Sequence, residues 1–311
     1  ASGMPIAVLA YEVTNTTDRP LEVAVCGSMR NFIGKDGSKF RTDWKGDYIP
    51  TGAKDNKNQF RKKNGLQGLY LYSDGVDKND PAYGTVALTT QAVEGVTYRT
   101  SSRADNWNNG ILNFWDDFSA DGELTERDRQ EDEDPMASVK KTVGPGSTET
   151  FTFYLTWNFP NRKAWSETIV GNYYSTRFPD AWEAAEAIVP QIPEMERQTL
   201  SFVHAFLKST YPDVVKEAAL FNLATLRSQT VFRLPSGHLM GWEGVMDRFG
   251  SCAGSCTHVW NYEVATPFLF GELAKTMRDV EFNYVTKENG LMNFRASLPL
   301  SEAAKGNSAA A

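Results

Sequence analysis

The first 160 residues alternate between apolar and polar positions with a period of two, which is typical of strands with one buried face. In the last of these runs the alternation places Phe151, Phe153, Leu155 and Trp157 on one buried face. The first two runs, joined by a polar turn at 15–20, are predicted as a β-hairpin or an adjacent strand pair. Short strands at this spacing predict a β-sandwich. The runs cover 6–13, 21–26, 68–72, 84–90, 96–100, 138–143 and 149–159.

Two polar stretches interrupt the strand pattern. Residues 34–65 are rich in Gly and Lys and are predicted as a long surface insertion. Residues 113–128 contain a sequence close to a calcium-binding loop, except that its last ligand is Asp where the EF-hand pattern has Glu. Because the flanking residues do not resemble paired helices, a plain loop between strands is predicted. The alternative is a calcium site formed by Asp117, Asp121 and Asp128.

From residue 180 the apolar positions recur every three or four residues, which is the spacing of amphipathic helices. Asp180 and Asp213 lie where a carboxylate caps or stabilises a helix N-terminus. A strand-rich half followed by a helical half predicts an α+β chain of two domains, with the boundary near residue 180. The predicted helices cover 180–189, 193–209 and 212–230.

Composition and charge narrow the class of protein. The 311 residues suffice for two domains, and the net charge of -7 argues against nucleic acid or an anionic membrane surface as a partner. The aromatic content of 12% suits a carbohydrate-active protein as well as a β-sandwich core. Cys26, Cys252 and Cys256 form no disulfide framework, which favours a reducing compartment such as the cytoplasm. Without a run of eighteen apolar residues, no transmembrane helix is predicted.

Candidate chemistry is concentrated in residues 241–270, which combine acidic, aromatic, Cys and His side chains. Glu243 lies between two glycines, with Trp242 beside it. This arrangement is expected where the backbone approaches a ligand and an aromatic ring stacks on it, and sugars are ligands of that kind. The spacing predicts a glycine-punctuated loop that carries Glu243, followed by a helix that begins near Ser255 or Thr257.

Five motifs occur in order along the chain: Leu155-Thr-Trp-Asn-Phe-Pro160, Tyr173-Tyr-Ser-Thr-Arg-Phe178, Ala218-Ala-Leu-Phe-Asn222, Cys256-Thr-His-Val-Trp-Asn-Tyr262 and Met277-Arg-Asp-Val-Glu-Phe282. Together they resemble glycoside hydrolase family 116, the family of the non-lysosomal glucosylceramidase and its bacterial β-glucosidase and β-xylosidase relatives. The resemblance implies a β-sandwich at 1–180, truncated at its N-terminus. It also implies the first helices of an (α/α)6 barrel at 181–311, truncated at its C-terminus.

The resemblance also implies an activity, because family members cleave β-glycosides with retention. Such enzymes work by double displacement with two carboxyl groups about 5–5.5 Å apart. Glu243, in its Gly-X-Glu context, matches the family's nucleophile, whereas the acid/base Asp is expected after Ala311, so this chain alone would be inactive. The implied ligand is a β-glycoside, in the form of a small molecule, an oligosaccharide or a glycolipid, and no organic cofactor is implied.

Two more acidic residues are candidates in this segment. Glu263, in the predicted helix, is the rival nucleophile, and its alternative role is a hydrogen bond to a substrate hydroxyl or to an Arg. Asp247 is either a group that orients the nucleophile or a residue of the loop surface. For Glu243 itself the alternative is a loop carboxylate that caps a neighbouring helix.

The aromatic and polar residues near Glu243 are candidates for substrate binding. Trp242 could stack on a sugar, although an aromatic side chain more often belongs to the core. His258 and Trp260 are two positions apart, so on a helix they face different directions. His258 and Asn261 are candidates for hydrogen bonds to sugar hydroxyls.

Cys252, Cys256 and His258 suggest a zinc site as an alternative, because soft ligands occur within seven positions. A fourth ligand is missing and the spacing is not that of a zinc finger, so buried free thiols are predicted and no metal.

A second class of function competes with the enzyme. In this alternative the chain is a non-catalytic carbohydrate-binding or interaction protein, whose sandwich binds glycans. A reading frame that continues past Ala311 into paired helices and a loop Asp would favour the enzyme.

Overall fold

The computed structural model describes residues 3–34, 39–42, 44–46, 48–51, 55–101, 110–126, 135–245, 250–260 and 265–305. The chain is mixed α+β with antiparallel sheets, and it divides into two compact units. We call Pro5–Phe159 with Phe178–Pro190 the sheet unit. Ala1–Met4, Pro160–Arg177 and Gln191–Ala311 form the loop unit.

The strands of the described residues are β1 (Ile6–Thr14), β2 (Leu21–Ser28), β3 (Lys39–Thr42), β4 (Tyr48–Thr51), β5 (Asn56–Lys63), β6 (Leu66–Ser73), β7 (Thr85–Thr90), β8 (Val96–Arg99), β9 (Met136–Val143), β10 (Thr148–Asn158), β11 (Val231–Arg233), β12 (Leu239–Gly241), β13 (Gly244–Val245) and β14 (Gly250–Ser251). The α-helices are α1 (Gly110–Asp121), α2 (Ala181–Ile188), α3 (Ile192–Leu207), α4 (Asp213–Asn222), α5 (Thr257–Trp260), α6 (Ala265–Leu269) and α7 (Gly271–Asp279). A π-helical segment, Val280–Val285, continues α7.

Two antiparallel sheets enclose the core of the sheet unit. One has the strand order β1-β10-β7-β6-β5 and the other β2-β9-β8. Phe151 and Phe153 of β10 pack with Val139 of β9 between the two sheets, at 0–2% exposure. The predicted buried face of β10 is therefore present, with Leu155 and Trp157 partly buried on it. This arrangement is compatible with the predicted β-sandwich.

The prediction of a hairpin or adjacent pair at the start of the chain is wrong, because β1 pairs with β10 whereas β2 pairs with β9 of the other sheet. Asn15 fixes the turn between them. Its side-chain amide donates to the carbonyl oxygens of Arg19 and Val143, at 2.8 and 2.9 Å, and its Oδ1 accepts from the Thr17 amide. A turn rich in Asn and Asp thus connects two sheets, since turn residues do not specify the strands that follow.

Residues 34–65 are not simply a surface insertion, since they contain β3, β4 and β5. β5 pairs with β6 along its whole length and lies at the edge of the five-stranded sheet. The sequence did not indicate β5 as a strand because it is mostly polar and charged, and edge strands are commonly rich in charged side chains.

The plain loop predicted within 113–128 is also wrong, because α1 extends to Asp121. The Asp117 carboxylate accepts hydrogen bonds from the Thr125 amide and hydroxyl, at 2.9 and 2.7 Å, and pairs with Arg99 at 2.5 Å. Asp121 accepts from the Glu123 amide. Asp128 lies outside the described residues. The loop that the calcium alternative requires is therefore not formed over 113–121.

The predicted cap at Asp180 is confirmed, because its carboxylate accepts from the Glu183 amide at 2.8 Å. α2 packs against β10, and its side chains Trp182 and Ile188 are almost completely buried. Asp213 is the first residue of α4, which ends at Asn222, before the predicted 230. None of the described helices has both the length and the apolar character needed to cross a membrane.

The loop unit has a core of its own, formed by side chains of β11 and β12, the π-helical segment and residues 296–303. The first helices of an (α/α)6 barrel stay a prediction, as does a domain boundary at residue 180. By contacts, residues 160–177 belong to the loop unit and 178–190 to the sheet unit.

Candidate active site

Glu243 lies between two small hairpins of the loop unit. β12 pairs with β11 and ends at Gly241, and β13 begins at Gly244 and pairs with β14. The Glu243 amide donates to the carbonyl oxygens of Ser251 and Cys252, at 2.9 and 3.1 Å. The backbone of Glu243 is thus held by Ser251 of β14 and by Cys252, so that Glu243 lies between paired strands where the sequence predicts an irregular, glycine-punctuated loop.

The next segment, residues 252–256, is held by hydrogen bonds to two other parts of the chain, at Gly241 and at Ala296. The Ser255 amide donates to the carbonyl oxygen of Gly241 at 2.8 Å, and the Gly241 amide donates to the Ser255 hydroxyl oxygen at 2.9 Å. The carbonyl of Gly254 accepts from the Ala296 amide at 2.7 Å. Gly254 has φ +98°, which is favourable for glycine, and its α-carbon lies so close to Arg295 that a Cβ would be 2.9 Å from the Arg295 Cβ. The predicted helix begins directly afterwards, at Thr257.

The side chain of Glu243 forms an ion pair with Arg295, whose Nη2 donates to its Oε1. Nη1 of Arg295 donates to the carbonyl of Ala253 at 2.7 Å, so the guanidinium joins the carboxylate to the neighbouring loop. About a fifth of each charged side chain is exposed, 21% for Glu243 and 23% for Arg295. The carboxylate is therefore accessible from solvent while its position is fixed.

The surroundings of Glu243 lower the pKa of its carboxyl group. Burial raises the pKa of the Glu243 carboxyl, but hydrogen bonds from the Cys256 and Cys252 thiols and the charge of Arg295 outweigh it, so the pKa is lowered. The lowered pKa keeps Glu243 ionised at neutral pH, as a carboxylate nucleophile must be.

Trp242 is buried, at 9% exposure, in the core of the loop unit. Its ring meets the Trp165 ring edge to face at a centroid distance of 4.8 Å. Gly250 packs directly on it, since a Cβ there would be 1.9 Å from the Trp242 Cγ. The burial favours the core role for Trp242, which places the backbone of the next residue, Glu243.

His258 and Trp260 face different directions on α5, as their spacing predicts. Trp260 is buried against Gly241, where a Cβ would be 2.2 Å from its ring, whereas His258 is exposed. Nδ1 of His258 lies 3.0 Å from Sγ of Cys256. The structure thus brings Cys256 and His258 together at the start of α5.

Asp247, Asn261 and Glu263 lie outside the described residues. For the zinc alternative, the part of the chain that the structure describes contains no group of three or more His, Cys, Asp or Glu side chains arranged to hold a metal ion. Cys26, Cys252 and Cys256 are free thiols.

Arg295 was not identified from the sequence. It is 52 positions from Glu243, and it lies in the short run Asn293-Phe-Arg-Ala296 without any local motif. Its only signal in the sequence is that it is a positively charged residue in the segment that follows the last family-like motif. Since ion pairs of this separation depend on tertiary contacts, spacing rules do not find them.

The comparisons with known proteins concern mainly the first part of the chain. Residues 1–195 match the family model described as beta-glucosidase 2, glycosyl-hydrolase family 116 N-term. No curated protein matches the chain. The matched residues make up more than half of the chain and include α2, while Glu243 follows them.

Proposed function

Since the chain belongs to glycoside hydrolase family 116, we propose that it is part of a retaining β-glycosidase and that Glu243 is the nucleophile. The supporting observation is the environment of Glu243, a partly exposed carboxylate that pairs with Arg295 and has a lowered pKa. A carboxylate in this state can attack an anomeric carbon without first losing a proton.

In the proposed reaction Glu243 attacks the anomeric carbon and forms a glycosyl-enzyme ester as the aglycone oxygen leaves. An acid/base carboxyl group protonates that oxygen and then removes a proton from the water that cleaves the ester. The substrate is a β-glucoside, a β-xyloside or a glucosylceramide-like glycolipid. Glu263 is the rival nucleophile, and Asp247, His258 and Asn261 are candidates for substrate binding.

The experiment is covalent trapping. The protein expressed from its complete reading frame is incubated with a 2-fluoro β-glucoside and with its xyloside counterpart, and its intact mass and peptide map are measured. We expect one glycosyl adduct, on Glu243, that is absent from the Glu243→Gln variant. An adduct on Glu263 would keep the retaining mechanism but replace the nucleophile.

The second candidate is the non-catalytic carbohydrate-binding or interaction protein. The family match, at residues 1–195, is to an N-terminal region that does not include Glu243, so the matched part alone is compatible with this candidate as well. A folded protein that binds β-glycosides by calorimetry but forms no adduct with either reagent would support this candidate and contradict the enzyme.

A further inference from the structure

A serine, a histidine and an aspartate of the loop unit are connected by hydrogen bonds. Nδ1 of His238 lies 2.8 Å from the Ser236 hydroxyl oxygen, and Nε2 of the same ring lies 2.8 Å from Oδ2 of Asp279. The proposed glycosidase reaction uses none of the three. The order of the contacts, from hydroxyl to imidazole to carboxylate, is that of the catalytic triad in serine hydrolases.

The turn between β11 and β12 positions the serine and the histidine. The Gly237 amide donates to the Leu234 carbonyl at 2.8 Å, and the Leu234 amide donates to the His238 carbonyl at 2.9 Å. Nε of Arg233 donates to the Gly237 carbonyl at 2.7 Å. Ser236 itself is exposed. Its hydroxyl is therefore accessible from solvent, while the backbone on both sides of it is held.

Asp279 is the last residue of α7 and reaches the turn from a different element. Its Oδ1 accepts from Nδ2 of Asn283 at 2.6 Å. The Leu239 amide donates to the Thr276 hydroxyl at 3.0 Å, so β12 is also bonded to α7 next to this contact. Hydrogen bonds from His238 and Asn283 lower the pKa of the Asp279 carboxyl, which keeps it ionised at neutral pH.

The carboxylate determines which nitrogen of His238 can act as a base. An ionised carboxylate only accepts hydrogen bonds, so in the neutral imidazole Nε2 carries the proton and donates it to Asp279. Nδ1 then accepts from the Ser236 hydroxyl. The Tyr284 ring meets the imidazole edge to face at a centroid distance of 5.4 Å and restricts its rotation. His238 is thus oriented to take the proton of Ser236.

A donor for the oxyanion of an acyl transfer is present at the same turn. Among the described residues, the Ser236 amide donates to no backbone carbonyl. In serine hydrolases the amide of the nucleophile is one of the groups that bind the oxyanion. Both Pro235 and Ser236 are exposed, so the turn suits a small acyl group on an accessible ester, since a long acyl chain needs an enclosed pocket.

We propose that Ser236, His238 and Asp279 form a second reactive centre, which hydrolyses small acyl esters. The Ser236 oxygen attacks the acyl carbon while Nδ1 of His238 takes the hydroxyl proton. The bond between the acyl carbon and the alcohol oxygen breaks, and the alcohol leaves with that proton. Water, deprotonated by the same nitrogen, then cleaves the acyl-enzyme ester to a carboxylic acid and free Ser236. Asp279 is a positioning residue, which fixes the tautomer and stabilises the imidazolium.

The test uses the protein expressed from its complete reading frame, a fluorophosphonate probe and p-nitrophenyl acetate. We expect one phosphonyl adduct, mapped to Ser236, that is absent from Ser236→Ala. The rate of p-nitrophenol release should fall about 100-fold or more in Ser236→Ala and in His238→Gln. In Asp279→Asn, kcat should fall while KM stays unchanged, because the base loses its orientation and the substrate keeps its contacts.

Ser201→Ala is the matched control. Ser201 is an exposed serine of α3 in the same unit, and its hydroxyl donates to the Arg197 carbonyl at 2.7 Å. Its replacement should leave labelling and hydrolysis unchanged. Absence of an adduct on Ser236 in folded wild type, or hydrolysis by Ser236→Ala at the wild-type rate, overturns the proposal. Trapping on Glu243 tests the glycosidase separately, so neither proposal depends on the outcome of the other.

Discussion

The carboxylate of Glu243 combines two properties that usually oppose each other, partial exposure and a fixed position. Arg295 accounts for much of the second property, because its two Nη atoms connect Glu243 with the carbonyl of Ala253. An Arg is suited to this, since its planar fork donates in two directions at once. The charge and the shape of the side chain therefore make separate contributions that substitutions can distinguish.

For Arg295→Ala we expect the rate of covalent trapping to fall about 10- to 100-fold, because a charge-assisted hydrogen bond contributes about 1.5–3 kcal/mol. Arg295→Lys keeps the charge but not the fork, so it should recover only part of the rate. The measurement is the second-order rate of inactivation by the 2-fluoro glycoside.

Arg197→Ala is the control for Arg295→Ala. Arg197 is 66% exposed and pairs with Glu194 on α3, so its loss should leave the inactivation rate unchanged, because an ion pair this exposed is screened by solvent. Equal rates for Arg295→Ala and wild type would exclude a role of Arg295 in holding the nucleophile.

In the sheet unit, Arg99 is a buried charge, at 1% side-chain exposure, that pairs with Asp117. Removing one partner of such a pair leaves the other uncompensated, at a cost of about 3–5 kcal/mol when both are buried. Since Asp117 is 21% exposed, we expect Asp117→Asn to lower the free energy of unfolding by about 2–3 kcal/mol. Urea denaturation measures it, with Glu123→Gln as a control that changes less than about 1 kcal/mol, because Glu123 is 52% exposed.

The same pair predicts a pH dependence. Burial raises the pKa of the Asp117 carboxyl, but hydrogen bonds from Thr125 and the charge of Arg99 outweigh it, so the pKa lies below the value in the unfolded chain. The stabilisation is therefore fully present above the unfolded pKa and is lost as the pH falls through the folded pKa. The difference in stability between wild type and Asp117→Asn should shrink in acid; a difference that is constant with pH would contradict this linkage.

At the scale of elements, the β13–β14 hairpin positions Glu243 only because glycine allows close packing. Gly250 lies against the face of Trp242, where no Cβ fits, whereas a Cβ at Gly244 would meet only the Ser251 Cβ, at 3.7 Å. The two glycines are in the same hairpin, one on each strand. They provide a matched pair of substitutions.

We expect Gly250→Ala to destabilise the loop unit by more than about 2 kcal/mol, because overpacking of this kind forces the Trp242 ring or the strand to move. Gly244→Ala should change stability by less than about 1 kcal/mol. Thermal unfolding and near-ultraviolet circular dichroism of the tryptophans measure the two effects. Equal unfolding temperatures for the two variants would refute the close packing of Gly250 on Trp242.

Several elements could be predicted from the sequence and others could not. The alternation of β10 and the cap at Asp180 are local patterns, and both are present. β5 was missed because an edge strand needs no apolar face of its own, and its position depends on pairing with β6. α1 was missed because the acidic residues in 113–128 have a calcium-like spacing that favours a loop, whereas the carboxylate of Asp117 pairs with Arg99, which is distant in the sequence.

At the scale of the whole molecule, α2 belongs to the sheet unit, although along the chain it comes after the point where strand spacing changes to helical spacing. The Thr156 hydroxyl donates to the carbonyl of Ala181 at 2.7 Å, and the Ala181 amide donates to the Thr85 hydroxyl at 2.9 Å. Trp182 and Ile188 are buried at 0–1% exposure. A domain that ended at residue 180 would lack these contacts.

We therefore expect a fragment of residues 1–190 to be more stable than one of residues 1–180. Burial of Trp182 and Ile188 stabilises the longer fragment by about 5 kcal/mol, which is comparable with the stability of a whole domain. Thermal unfolding by circular dichroism compares the two, and Trp182→Ala in the longer fragment should lie between them. Equal unfolding temperatures would instead support a boundary at residue 180.

The sequence by itself determined the α+β class, the alternating face of β10, the starts of α2 to α5 and the family, because periodicity, caps and motifs are properties of neighbouring residues. It also made Glu243 the candidate nucleophile, through its glycines and its neighbour Trp242, and that role stays a prediction. Only the tertiary structure decided what surrounds that carboxylate. Arg295 meets it because β12, the 252–256 loop and residues 294–296 bond to one another, and such contacts between distant residues leave no spacing to be recognised along the chain.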